Sequence, residues 1–280
     1  MEYKEYKCSE LLSPFVECYW SAHADKPPFR EQESLIPDGT IELMFNFGDN
    51  YSQIKDGRKR VVKGSHIIGI RRESLRISQT NNQNLFSIRF KLGGIYPFLR
   101  IPVHSFANDF FELDMLMGNE YKEVEEKLFE APTDQDRVDI ADRYLLKKIY
   151  RKIPEDYAFV DKSLTMMVQN PTLDLKKLAE DVNSNYKTLE QKFETVVGLT
   201  PSGVLKIWRF NSSILSMYSC KFNSLTEVSY DCGYFDQSHF IREFRQLTNL
   251  TPREFLKEQF TIVQVIQPAL ALRLSKSYNL

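Results

Sequence analysis

Polar and hydrophobic residues alternate in several short runs within the first hundred positions of the chain. Clear examples are residues 40–47, 65–70 and 85–90, which are rich in β-branched and aromatic side chains. Alternation with a period of two is typical of strands that bury one face. Glycines such as Gly48 supply turns between the runs at spacings typical of a sandwich or barrel. The pattern therefore predicts a mostly β domain over residues 1–118.

The hydrophobic period lengthens to three and four residues after this region. Val138, Ala141 and Leu145 recur at those steps, so a helix here has one apolar face. We expect that face to pack either on the β domain or on the same helix of a second subunit. Pro154 ends the segment, because the residue before a proline avoids the helical conformation. The sequence thus predicts a helical linker over residues 119–154.

The C-terminal third contains an internal repeat whose copies are 51 residues apart. Phe193 is followed by GLTP at 198–201, and Phe244 is followed by NLTP at 249–252. Glycine and asparagine tolerate the left-handed conformation that ends many helices. Threonine caps the next helix, and proline suits its first position. Each copy therefore predicts a helix, a left-handed stop and a newly capped helix.

A second matched pattern lies upstream of each phenylalanine of the repeat. Short helices are predicted from residues 174–179 and 224–229, and each is followed by a tight turn. New helices are predicted to start at Ser184 and Asp236, which are both good N-caps. This arrangement predicts two helix-turn-helix units within an all-α domain over residues 155–262.

A long helix from Pro201 to about Ser219 is predicted between the two units. At 1.5 Å per residue it is about 28 Å long. It can hold two recognition helices roughly 34 Å apart, which is about one turn of B-DNA. A helical repeat used for protein contacts is the alternative interpretation.

The stretch from 175 to 255 resembles the tandem helix-turn-helix domain of AraC/XylS-type transcription regulators. The most specific part is CGYFDQSHFIREFRQLTNLTPREF at 232–255, which follows the signature of that family almost position by position. Arg209 also matches the arginine of the family in the connecting helix, whereas Gln191 stands where the family often has an arginine. The resemblance implies a sequence-specific DNA-binding domain with double-stranded DNA as its partner.

The N-terminal half resembles, more weakly, the β-rich regulatory domain of one branch of that family. The similar segments include residues 36–48 and 89–94, where Leu92 replaces the proline usual in relatives. Such domains in other branches are cupin-like barrels that bind small effectors or dimerise. The resemblance therefore implies either a small-molecule effector or a homodimer contact, and it leaves the identity of the effector unknown.

Outward-facing residues near the start of a recognition helix reach base edges. Because Phe240 and Phe244 face inward, the outward positions of the second helix can be assigned. The predicted base-reading residues are Lys187, Thr188 and Gln191 in the first unit and Gln237, Ser238, His239 and Arg242 in the second. The predicted phosphate contacts, which position the protein without specifying sequence, are Lys192, Lys206, Arg209, Lys221 and Arg245. A structural ion pair is an equal alternative for Arg209.

The overall charge does not by itself favour nucleic acid, since 37 Lys and Arg residues face 38 Asp and Glu residues. Any DNA binding must come from local patches. The N-terminus is polar, and no apolar run approaches the roughly 20 residues that span a bilayer. We expect a cytoplasmic protein without membrane contact. The 4 cysteines lack CxxC spacing and are expected to be reduced thiols.

Catalytic and metal-binding alternatives have weaker sequence support. Phosphate-binding glycine loops and the nucleophile elbow do not occur in the sequence, and no cofactor or catalytic residue is predicted. A cupin-like metal enzyme stays open through His66 and Glu42, because a barrel can bring ligands together from distant strands. A protein-interaction module that no longer binds DNA is the other alternative. No role is assigned to residues 263–280.

Overall fold

The computed structural model describes residues 2–24, 32–79, 82–113, 118, 120–149, 153–170, 172–218 and 224–258. Its strands are β1 (Glu2–Tyr6), β2 (Val16–Ala24), β3 (Gln32–Leu35), β4 (Ile41–Asn46), β5 (Tyr51–Lys55), β6 (Arg58–Val62), β7 (His66–Ile68), β8 (Leu75–Ser78), β9 (Gln83–Phe90) and β10 (Phe110–Glu112). Its helices are α1 (Tyr96–Leu99), α2 (Glu120–Glu130), α3 (Asp134–Ile149), α4 (Glu155–Gln169), α5 (Leu175–Asp181), α6 (Tyr186–Val196), α7 (Pro201–Tyr218), α8 (Leu225–Asp231), α9 (Gln237–Thr248) and α10 (Pro252–Glu258). Short 3₁₀ helices lie at Glu10–Leu12 and Val103–Phe106. The segment 263–280 lies outside the described residues.

The N-terminal strands form two antiparallel sheets. A six-stranded sheet has the order β1-β2-β9-β4-β7-β10, and a four-stranded sheet has the order β3-β8-β5-β6. The two sheets face each other across a hydrophobic layer that includes Trp20, Met44 and Ile77. The prediction of a β-rich domain is confirmed, and its architecture is an open sandwich rather than a closed barrel.

The six-stranded sheet is covered on both of its faces. One face packs on the smaller sheet, while Leu43, Phe45 and Ile88 of the other face belong to the cluster that contains the helices. All six residues of β4 are therefore buried. The expectation that the strands bury one face is wrong for this strand, because the smaller sheet covers the side of Glu42 and Met44, which alternation assigns to solvent.

Helix α3 packs on the β domain of its own chain through polar anchors as well as its apolar face. The Asp134 carboxylate accepts hydrogen bonds from Ser21 Oγ at 2.7 Å and from Tyr6 Oη at 3.0 Å. About two turns from its other end, Asp142 accepts from the backbone N of Ser9 at 3.0 Å. Of the two packing arrangements predicted for this helix, the structure shows the one within the chain.

The caps predicted from the 51-residue repeat are present at the ends of α6 and α9 and at the starts of α7 and α10. Gly198 and Asn249 have φ of 80° and 60°, as the stop position requires. Thr200 Oγ1 accepts from the backbone N of Gly203 at 3.1 Å. Thr251 and Glu254 form a reciprocal capping box, with distances of 2.7 and 3.3 Å. The local signals of the repeat thus produce the predicted helix boundaries.

The described part of the chain contains no helix with the length and hydrophobicity needed to cross a bilayer. Cys8, Cys18 and Cys232 are free thiols, and Cys220 lies outside the described residues. Burial raises the pKa of Cys18 to about 12 and that of Cys232 to about 11. Both thiols are therefore protonated at neutral pH and act as small core residues.

His66 is fully buried between the sheets and carries no charge. Its Nδ1 lies 2.8 Å from the carbonyl of Gly64, and its Nε2 is hydrogen-bonded to the Tyr51 hydroxyl. A carbonyl only accepts, so Nδ1 holds the proton and Nε2 accepts from the tyrosine. Burial lowers the pKa of His66 to about 4.

We expect His66 to make the stability of the protein depend on pH. The unfolded chain binds the imidazole proton with the ordinary pKa near 6.5, so this contribution is present above pH 6.5 and is lost as the pH falls toward 4. Between pH 7 and pH 5 the free energy of unfolding should fall by about 2 kcal/mol from this group. Urea unfolding of His66→Gln should lack this loss. His104→Gln, at an exposed position, is the control and should keep the wild-type pH dependence. An unchanged pH dependence in His66→Gln would contradict the assignment.

Candidate nucleic-acid interface

The second helix-turn-helix unit consists of α8, a tight turn and α9. The side chain of Asp236 caps α9 by accepting from the backbone N of His239 at 2.6 Å. Phe240 and Phe244 are fully buried and contact each other edge to face. These two residues set the rotation of α9, so that its first turns present Ser238 and Arg242 to solvent.

The four predicted base-reading residues of α9 differ in their exposure to solvent and in their contacts within the protein. Ser238 and Arg242 are exposed. Gln237 is half-buried, and its Oε1 accepts from Thr226 Oγ1 of α8 at 2.7 Å. His239 is half-buried against the ring of Tyr234. Arg242 is thus an exposed candidate of this helix with a permanent positive charge.

The first unit, α5 and α6, has the same architecture with different capping. Asn185 caps α6 by accepting from the backbone N of Thr188 at 2.9 Å. The prediction of Ser184 as the cap is therefore wrong by one residue. Lys187 and Gln191 are exposed, while Thr188 is half-buried. The three predicted base-reading residues of this unit lie on the outer side of α6, opposite its buried leucine and phenylalanine.

Two of the residues predicted to contact phosphate instead form ion pairs with carboxylates of the same chain. Arg209 Nη2 lies 3.2 Å from Glu243 Oε2, and its guanidinium lies 5.6 Å from the centre of the Tyr234 ring. Lys192 is paired with Asp156 of α4. The ion pair of Arg209 also neutralises the carboxylate of Glu243, which is buried on α9.

The remaining phosphate candidates are more open. Lys206 Nζ donates to Gln246 Oε1 at 3.0 Å on the surface, and Arg245 is exposed. Lys221 lies outside the described residues. Lys176 and Lys177, which the sequence reasoning missed, are exposed in the first turn of α5. Their position at the start of the first helix of a unit is the signal that identifies them, because that helix crosses the DNA backbone.

One loop of the β domain holds the C-terminal ends of both recognition helices. We call residues 71–74, between β7 and β8, the clamp loop. Arg72 donates to the carbonyl of Gly198, just after α6, from Nη2 at 2.7 Å and from Nε at 3.2 Å. The backbone N of Ser74 donates to the carbonyl of Leu247, in the last turn of α9, at 2.6 Å. The clamp loop thus connects two helices that belong to different units.

The clamp loop leaves the opposite ends of the recognition helices open. N-terminal residues of such helices contact base edges, and Lys187, Ser238 and Arg242 at these ends are exposed. The β domain therefore holds the two helices without burying the side chains that would read bases.

The metal alternative gains no support from this arrangement. Among the described residues, no group of three or more His, Cys, Asp or Glu side chains is arranged to hold a metal ion. His66 is bonded to Tyr51 and Gly64, while Glu42 Oε1 accepts from Arg89 Nε at 2.8 Å. The two side chains proposed as ligands thus have separate partners.

Comparisons with known domains match both parts of the chain. Residues 178–258 match the model of a helix-turn-helix domain. Residues 4–112 match DUF6597, a domain of unknown function.

The curated relatives cover only the C-terminal part. The HTH-type transcriptional activators RhaS of Salmonella paratyphi B and Salmonella newport are each 32% identical over 88 residues, which are 31% of this chain and 31% of the relative. The chain therefore matches about a third of the length of these relatives.

Among solved structures, ToxT from Vibrio cholerae matches with a TM-score of 0.46 and 13% identity, covering 87% of this chain and 99% of that chain. The AraC-like transcriptional activator CuxR matches with a TM-score of 0.26 and 13% identity, covering 78% of this chain and 86% of that chain.

We expect Gly198→Ala to destabilise the protein more than Gly233→Ala. Both glycines have positive φ, 80° and 77°, so each alanine costs about 1–2 kcal/mol of backbone free energy. Only at position 198 would the new Cβ meet the β domain, at 2.6 Å from Ile70 Cγ2 and 2.9 Å from Val103 Cγ1. Overpacking of this kind adds roughly 1–3 kcal/mol. Denaturant unfolding measures the free energy of unfolding of both variants. Equal decreases in the two variants would contradict the close packing of Gly198 against the β domain.

Proposed function

We propose that this protein, whose C-terminal domain is of the AraC/XylS helix-turn-helix type, is a sequence-specific DNA-binding transcription regulator. The observation that carries the proposal is the pair of capped recognition helices with exposed N-terminal side chains. The matched helix-turn-helix model and the similarity to transcriptional activators support it. We retain, as part of this proposal, a regulatory domain at 1–118, a linker at 119–154 and a DNA-binding domain at 155–262.

In this proposal α9 provides most of the sequence readout. Arg242 is exposed, and arginine pairs bidentately with guanine O6 and N7. Gln237 is suited to adenine, but it must first give up its bond to Thr226. In α6, Gln191 has the same chemistry as Gln237 and is already exposed, while Lys187 offers a single cation. The second unit is therefore proposed to contribute more specificity than the first.

Phosphate contacts are proposed for the cations that are not consumed in ion pairs. Arg245, Lys206, Lys176 and Lys177 are the candidates, whereas Arg209 is assigned to holding α7 against α9. Because DNA binding releases counterions, each phosphate contact adds about 0.9 to the slope of log affinity against log salt. A set of about four such contacts gives a steep dependence on salt despite the balanced net charge.

We propose that the β domain regulates how the recognition helices are presented. A small effector or a second copy of the chain that prefers one arrangement would shift the population of conformations. A conformational change in the β domain can reach the recognition helices through the clamp loop, because this loop belongs to the β domain and is hydrogen-bonded to the ends of both helices. The enzyme and interaction-module alternatives lack a comparable structural feature in the described residues.

We expect Arg242→Ala to weaken binding to the preferred DNA sequence by about 1–3 kcal/mol, or roughly 5- to 150-fold. The preferred sequence comes from selection of bound oligonucleotides from a random pool with the full chain. Repeating the selection with Arg242→Ala should relax the preference at one base pair and leave the others unchanged, because the lost contact reads a single base.

Arg58→Ala is the matched control, since Arg58 is an exposed arginine on β6 in the other domain. It should bind the selected DNA as the wild type does. Failure of the wild type to enrich any sequence at low salt would contradict the regulator proposal and favour the interaction module. Equal effects of the two substitutions would contradict the role of Arg242 alone.

A further inference from the structure

A pocket lies between the two sheets of the β domain. Its open volume is about 920 Å³, including the mouth. Aliphatic and aromatic side chains from both sheets make up most of its wall, among them Trp20, Ala22, Leu35, Met44, Tyr51 and Ile77. A mainly apolar and aromatic lining with a few polar groups is typical of sites for small organic molecules.

Four of the five charged groups of the wall form two ion pairs. Arg89 Nε lies 2.8 Å from Glu42 Oε1, and the Arg89 side chain is 2% exposed. Arg71 is paired with Asp38 and also donates from Nε to the carbonyl of Ile36 at 2.8 Å. Buried charges paired in this way leave few polar atoms to offer a ligand. The surface that a ligand meets is therefore mainly apolar.

The balance of charge in the wall disfavours an anion. Two cations, Arg71 and Arg89, face three carboxylates, those of Asp38, Glu42 and Asp49. A bound carboxylate or sulfonate would find both guanidiniums already neutralised, and it would be repelled by the third carboxylate. The buried Nε1 of Trp20 in this wall has no hydrogen-bond partner among the described residues.

We propose that this pocket binds a neutral, mainly apolar small molecule and that binding is coupled to the recognition helices through the clamp loop. The coupling rests on the proposed function, but the binding does not. Arg71 lines the pocket and is also the first residue of the clamp loop. The next residue, Arg72, bonds to Gly198, and Ser74 bonds to Leu247. A ligand that shifts Arg71 therefore shifts the anchor of both helices.

A second connection leads from the same wall to the helical domain. Ile36 and Asp38 line the pocket, and the chain then passes through Gly39. An added Cβ at Gly39 would lie 3.8 Å from Ile207 Cγ2 on α7. The segment that binds Arg71 thus also lies next to the helix that separates the two units.

The test uses two fluorescent probes that share one aromatic framework. N-phenyl-1-naphthylamine is neutral, and 8-anilino-1-naphthalenesulfonate carries a negative charge. Titration into the full chain should give at least tenfold tighter binding of the neutral probe. Equal binding, or tighter binding of the sulfonate, would overturn the proposed ligand class.

Two pocket-filling variants locate the site. Ala22→Leu and Leu35→Trp should each weaken binding of the neutral probe at least tenfold, because the larger side chains occupy the space of the ligand. Val61→Trp is the control, since Val61 is on β6, is 53% exposed and is outside the pocket wall. Thermal melts identify any variant that fails to fold, and the other variant then decides. Unchanged binding in a folded variant would overturn the location.

The coupling is measured by the affinity of the full chain for its selected DNA with and without saturating neutral probe. We expect a change of at least fivefold in wild type and a smaller change in Arg72→Ala. If the probe does not change the DNA affinity of the wild type, the coupling is overturned. The proposed function still stands in that case, because the protein binds its DNA. Failure to bind DNA in either condition would instead contradict the proposed function, and the probe titrations would still test the pocket.

Discussion

Two carbonyl groups at the C-terminal ends of the recognition helices are bound by one short loop of the β domain. The carbonyl of Gly198 accepts from Arg72, and that of Leu247 accepts from Ser74. Helix ends leave carbonyls without intrahelical partners and carry partial negative charge. At the end of the first recognition helix, the Arg72 guanidinium donates hydrogen bonds to such a carbonyl and also places a positive charge beside it, so these hydrogen bonds are charge-assisted. The relative position of the two helix-turn-helix units therefore depends on the β domain as well as on the helix between them.

This dependence explains why the two parts of the chain share one hydrophobic core. Buried residues of the large sheet and of the C-terminal helices belong to the same cluster, and Gly198 is packed so closely that no side chain fits there. A domain held this tightly moves with its neighbour, so a change inside the sandwich reaches the helices through a few contacts. The base-reading ends stay exposed because the β domain holds the opposite ends.

Local chemistry accounts for the features that the sequence predicts well. The Thr-Pro caps, the left-handed Gly198 and Asn249, and the inward phenylalanines are each specified by residues a few positions apart, so a pattern reveals them. The misplaced cap at Ser184 is a local error between two adjacent residues that both favour capping. The similarity to a known family adds the expectation of DNA binding, which no local pattern contains.

Features that depend on distant residues could not be predicted in this way. Arg72 and Gly198 are 126 positions apart, and nothing near either residue indicates the other. The burial of β4 on both faces requires the smaller sheet on one side and helices that follow it by about a hundred residues on the other. The pairing of Arg89 with Glu42, which leaves the pocket wall mainly apolar, joins neighbouring strands whose register the sequence alone does not establish. The sequence likewise does not show that Arg242 is exposed while Arg209 is paired with Glu243, although both resemble arginines that contact DNA.

The most direct measurement is the affinity of the full chain for DNA in which the two selected half-sites are moved apart. Helices held by one loop and one connecting helix cannot follow the half-sites, because α7 spans only about 27 Å and its ends are fixed. We expect the affinity to fall at least tenfold when five base pairs are inserted and to stay low when ten are inserted. Equal affinity at all three spacings would show that the units bind independently and would contradict this account.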